Sequence, residues 1–118
     1  MKRILVQPVK NIEGRQMKYL EPENKAERDM TTVDAIRSLV FNLPSGRLTM
    51  TDSINGKRVI DAIARKDDYA LELDDDLYKW LKDMVEHYSP MVFGVNACQI
   101  QDAVDELEKK LPEVKKGK

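Results

Sequence analysis

The chain has 118 residues, 42% hydrophobic and 35% charged, with a formal net charge of −1; this suits one globular domain with a single core and excludes a disordered chain poor in large apolar residues. The lone cysteine, Cys98, excludes an internal disulfide, and with a single histidine, His87, it cannot complete a closed tetrahedral zinc site. No apolar run approaches the ~20 residues of a membrane span, and MKRILVQPVK is too short in apolar residues for a secretion signal, so the expected location is the cytoplasm.

Taken in chain order, Ile4-Leu5-Val6 and Gln16 to Leu20 are the first candidate strands, joined through Asn11-Ile12-Glu13-Gly14 as a hairpin with Pro8 on an edge. Residues 21–30 are polar, contain Pro22 and lack a periodic apolar face, which predicts a linker. Thr31-Thr32 caps a helix whose inward side is Val33, Ile36, Leu39, Val40 and Leu43, with Asp34 in its first turn, and Pro44-Ser45-Gly46 stops it.

A second helical segment is predicted from Thr51 or Asp52 to about Lys66, turning Ile54, Ile60 and Ile63 inward with Val59 and Ala62 beside them. Gly56 costs roughly 1 kcal/mol against alanine inside a helix, so the alternative start is Lys57. Asp67 to Ala70 leads into an extended Leu71-Glu72-Leu73. Asp74 then caps the strongest helix, in which Leu77, Trp80, Leu81, Met84, Val85 and Tyr88 repeat at three-and-four spacing. Ser89-Pro90 is expected to end that helix and start another, leaving Met91-Val92-Phe93 in a loop. Phe93, Ala97, Ile100, Val104, Leu107 and Leu111 form a last narrow seam, predicted to lie antiparallel on the preceding helix, and Pro112 begins a basic tail.

The fold expected is therefore mainly α: a single domain over 1–111 made of a hairpin (1–20), a linker (21–30) and a four-helix core (31–111), followed by a flexible tail (112–118).

Chemistry-bearing groups are sparse. Asp74-Asp75-Asp76, with Asp67 and Asp68 nearby, offers oxygens to a hard cation, but consecutive residues diverge at a helix start and capping accounts for them, so no metal is expected. His87 and Cys98 stand on separate predicted helices, as a helix-edge imidazole and a semi-buried thiol, and no catalytic residue is assigned. The five glycines are too scattered for a phosphate loop, and no cofactor is expected. Residues 1–66 carry +5 and residues 67–118 carry −6, a split that suits attraction to a partner or head-to-tail contact between copies.

What these observations leave is a noncatalytic protein that acts by binding another protein, with a homo-oligomer as a further possibility. The expected contacts are the hairpin residues Leu5, Val9, Met17 and Tyr19 and the loop residues Met91, Val92 and Phe93. The alternative is a DNA-binding regulator using Arg47, Lys57, Arg58 and Arg65 around the second helix, against which the acidic C-terminal half counts.

The succession of QPVKNIEG, the Thr-Val-Asp-Ala-Ile helix start and LELDDDLYKWLKDMVEHYSPMVFGVNACQIQDAVDEL resembles small phage- and prophage-encoded proteins of unassigned role. MKYLEPENKAERDMT, after a basic, glycine-turned strand, is similar to the opening of siphophage tail-assembly chaperones, and the C-terminal half does not continue that pattern. The resemblance implies a phage or mobile-element origin, a host or phage protein as partner and, as an alternative role, virion or tail assembly; it assigns no site residue.

Overall fold

A computed structural model of the protein describes residues 2–21, 25–66 and 69–104. Its order is β1 (Lys2–Leu5), β2 (Lys18–Leu20), β3 (Glu27–Asp29), α1 (Thr32–Phe41), α2 (Met50–Arg65), β4 (Ala70–Leu73) and α3 (Asp75–Phe93), with short 3-10 turns at Ser45–Arg47 and Gly94–Asn96. The architecture is mainly α with minor β, as expected. Among the described residues three α-helices are complete where four segments were expected, and residues 97–104 are helical too; Leu107, Leu111 and the tail lie outside the described residues, as do Pro22, Asp67 and Asp68.

Both short helix starts are closed by the same device. Thr31 accepts from the backbone N–H of Asp34 while the Asp34 carboxylate accepts from that of Thr31, and Thr49 and Asp52 repeat the exchange at α2. Reciprocal capping satisfies backbone donors that the first helical turn leaves without partners. At α3 Asp74 performs the cap alone, accepting from Leu77 N–H at 2.9 Å.

The core forms where these helices meet strand β4. Ile36 and Leu39 of α1, Val59 of α2, Leu71 and Leu73 of β4 and Leu81 and Val85 of α3 join one buried cluster. Tyr78 extends it, donating its hydroxyl proton to the Val104 carbonyl at 2.9 Å. That bond brings the start of α3 to the last residue of the described helical stretch 97–104, so the two run antiparallel, in the predicted sense, with Ala97, Ile100 and Val104 buried.

The strand pairing departs from expectation. β1 does not pair with β2; it lies antiparallel to β4, with Lys2 opposite Leu73 and Leu5 opposite Ala70. The Asn11–Gly14 turn exists, Gly14 taking φ +86, but it closes only a short hairpin, with Asn11 N–H bonded to Arg15 and Met17 N–H to Val9. Ile4, Leu71 and Leu73 explain the exchange, because pairing β1 with β4 buries all three against the helices.

The expected linker also contains a strand. β3 pairs with β2 although all three of its residues are exposed. Cross-strand contacts replace apolar alternation there: Lys18 binds Asp29 at 2.5 Å, and Arg28 lies 4.8 Å above the ring of Tyr19, its register partner.

The break expected at Ser89-Pro90 does not occur, and of the two starts weighed for the second helix the one before Gly56 is observed. Pro90 is internal to α3. It lacks the N–H that would bond the Glu86 carbonyl one turn back, at a position where both residues are exposed, while buried Ser89 and half-buried Val92 continue the inner stripe. Gly56 is likewise internal to α2 and buried, because that helix needs no side chain there: an added Cβ meets Val40 Cγ1 at 3.3 Å and the Trp80 ring at 3.8 Å. Consequently α2 buries Gly56, Val59 and Ala62, and Ile54, expected inside, is exposed. Gly56→Leu should overfill this contact and cost about 1–3 kcal/mol, measured by chemical denaturation.

Candidate interaction surface

Most residues expected to meet a partner are committed to the fold. Val9 is 3% exposed and Tyr19 is buried beneath Arg28, while Met17, Val92 and Phe93 pack against the core. Met91, at 68%, and Leu5 are the two large exposed residues of that set, and Met91 belongs to the last turn of α3 rather than to a loop. The hairpin fails as a free apolar face because it lies on the helical core. Its turn is tied to the last helical stretch by Gln99 Nε2, which donates to the Lys10 carbonyl at 3.0 Å.

The basic residues around α2 are interleaved with acids. Lys57 binds Asp61 at 3.0 Å and Arg58 binds Asp74 at 2.7 Å. Arg58 and Arg65 line a small hollow with Asp61, Glu72 and Asp74, while Arg47 is exposed in the preceding 3-10 turn. A phosphate approaching this hollow meets three carboxylates, which offsets the attraction of its cations. At the opposite end of the same helix, Trp80 Nε1 donates to Asp52 at 2.9 Å, fixing α3 to the capped start of α2. The Trp80 bond, followed by those from Thr49, holds the Asp52 carboxyl below its ordinary value.

A more continuous surface lies at α1 and β2. Leu20, 57% exposed, and Phe41, 64% exposed, line a hollow of about 400 Å³ with Tyr19, Arg37, Ser38 and Asn42. Tyr19 and Arg37 also line a neighbouring cleft of about 600 Å³ bordered by Val6, Ile63 and Lys66, so the two depressions form one surface. Arg37 sits 5.3 Å from the centre of the Phe41 ring, a cation–π arrangement that orients the guanidinium.

Arg28 lines the larger cleft and ties its walls together. Its Nη1 and Nη2 donate to the two oxygens of Asp34 at 2.5 and 2.6 Å, and its Nε donates to Glu21. Burial opposes ionisation of Asp34, whose side chain is 8% exposed, but the bonds from Arg28 and Thr31 outweigh it and hold the carboxyl below the usual value. Arg28 is correspondingly held more firmly protonated by Asp34 and Glu21. The cluster pins β3 to α1 and so sets Tyr19 and Leu20 beside Arg37 and Phe41.

Sequence reasoning passed over Leu20, Arg37 and Phe41, although the signals were present. Alternation places Leu20 opposite Tyr19, so an inward Tyr19 turns Leu20 outward. Phe41 falls off the stripe made by Val33, Ile36, Leu39 and Val40, which marks an aromatic side chain the core does not use.

The remaining candidate groups stand apart among the described residues. His87 Nδ1 lies 2.8 Å from the Asp83 carbonyl, and Cys98, expected to be half-buried, is exposed with its thiol 3.5 Å from the Val95 carbonyl. Among the described residues, no three histidine, cysteine or acidic side chains gather as a metal site, and no helix is long and apolar enough to cross a membrane. Compared with family models, curated proteins and solved structures, the chain matches none.

Proposed function

We propose that the protein is a noncatalytic binding protein whose contact face is the Leu20–Arg37–Phe41 surface. The observation that carries this reading is the pair of large apolar side chains left exposed around one hollow and flanked by an arginine. Aromatic and arginine side chains are enriched at protein interfaces and dominate their energetics. The phage-like layout of the sequence is the ground for seeking the partner among host or phage proteins, virion components included.

A photocrosslinking residue placed at Phe41 tests this directly in lysate of the source cell. It should capture a discrete partner that the same group placed at Tyr69, also exposed, does not capture. Equal capture from both positions, or crosslinks only between copies of this chain, would contradict a hetero-partner bound at this face. His87→Ala should leave the capture at Phe41 unchanged, since the imidazole faces its own helix.

A further inference from the structure

Two arginines border the proposed contact face, and their states differ. Arg28 is saturated, with Asp34 and Glu21 accepting from it on two sides. Arg37 stacks on Phe41 and makes no ion pair among the described residues. The charged residues of the adjoining cleft comprise three cations, Arg28, Arg37 and Lys66, and two carboxylates, both taken by Arg28. The surface therefore has one oriented cation beside an apolar hollow, and it lacks the row of cations that a nucleic-acid backbone engages.

We infer that the partner segment is an acidic–apolar peptide, with an aliphatic or aromatic side chain between Leu20 and Phe41 and a carboxylate accepting from the Arg37 guanidinium. This deepens the binding reading above and rests on it. Charge complementarity selects the occupant: a guanidinium fixed over a ring offers parallel N–H groups to the planar, singly charged carboxylate. A polyanion has a single oriented guanidinium to engage at this hollow rather than a row of cations along its backbone.

The test is selection of random peptides displayed on a surface, using the full chain as bait, followed by affinity measurements on synthetic copies of the enriched peptides. Enriched sequences should place Asp or Glu within a few residues of Leu, Ile, Phe or Trp. Arg37→Glu should weaken them at least 10-fold, and replacing the peptide's acid by Lys should restore affinity to Arg37→Glu while losing it for the native chain. Arg37 is half-exposed, and thermal melts establish that the variant is folded; Arg37→Gln, which removes the charge without reversing it, should give an intermediate loss. Peptides that need Phe41 but carry no acid would overturn the inference and leave the binding face standing. Enriched peptides indifferent to both Phe41 and Arg37, or no enrichment at all, would overturn both.

Discussion

Leu81→Ala should destabilise the protein by about 3 kcal/mol, within the ~2–5 kcal/mol range of buried leucine truncations, and equilibrium urea denaturation should show it as a lower midpoint with an unchanged slope. Leu81 is fully buried on α3, in the cluster that joins Ile36 and Leu39 of α1, Val59 of α2 and Leu71 of β4. Removing all of its side chain beyond Cβ, an isopropyl group, leaves a void in the cluster shared by three helices and a strand. Domains of this size hold only ~5–15 kcal/mol of net stability, so the loss is a large share of the total. Met91→Ala, by contrast, should lie within about 0.5 kcal/mol of the native chain, because exposed substitutions away from special features rarely exceed that and Met91 is mostly in water.

Arg28→Ala is the second large effect, expected at about 1–3 kcal/mol, the range for leaving a buried polar group without its partner. The reason is Asp34 rather than the arginine itself, which is nearly half exposed and whose pair with Glu21 at the surface contributes little. Once the guanidinium is gone, the buried carboxylate keeps only its bonds from Thr31, and its pKa should rise. The sign of the pH dependence follows from the native shifts. Asp34 and Asp52 both titrate below their unfolded values, so their contribution is complete above about pH 4 and is lost as pH falls through the folded pKa values. Denaturation midpoints should therefore be flat from pH 7 to 5 and drop below about pH 4. In Arg28→Ala the folded-state pKa of Asp34 moves up toward or past its unfolded value, so the acid-induced drop should shrink, and in Asp34→Asn the part owed to this carboxyl should disappear.

These contrasts show which parts of the molecule are written locally in its sequence. Capping and helical periodicity depend on residues within a turn or two of one another, so the caps at Thr31 and Asp74 and the α1 and α3 stripes could be read directly. The partner of β1 could not, because its choice between a neighbouring strand and Leu71–Leu73 is settled by what the helices bury beneath it. The strand at Glu27–Asp29 was hidden for a related reason: its stability comes from Arg28 meeting Tyr19 and Asp34, residues that share no periodic pattern. Gly56 and Pro90 looked like interruptions because propensity counts their cost and not their surroundings, a close neighbour in one case and open water in the other. The contact residues followed the same rule. Val9 and Tyr19 are apolar enough for a binding surface, but tertiary packing claimed them and left Leu20 and Phe41 outside.

The most direct test of the binding face is the affinity of the Leu20→Ser/Phe41→Ser double variant for the protein crosslinked at Phe41. Interface anchors each contribute more than ~1 kcal/mol, so together they should weaken binding at least ~30-fold, with a melting temperature within about 2 °C of the native chain because neither side chain is in the core. Native-like affinity in the folded double variant would place the contact elsewhere on the molecule and contradict this assignment.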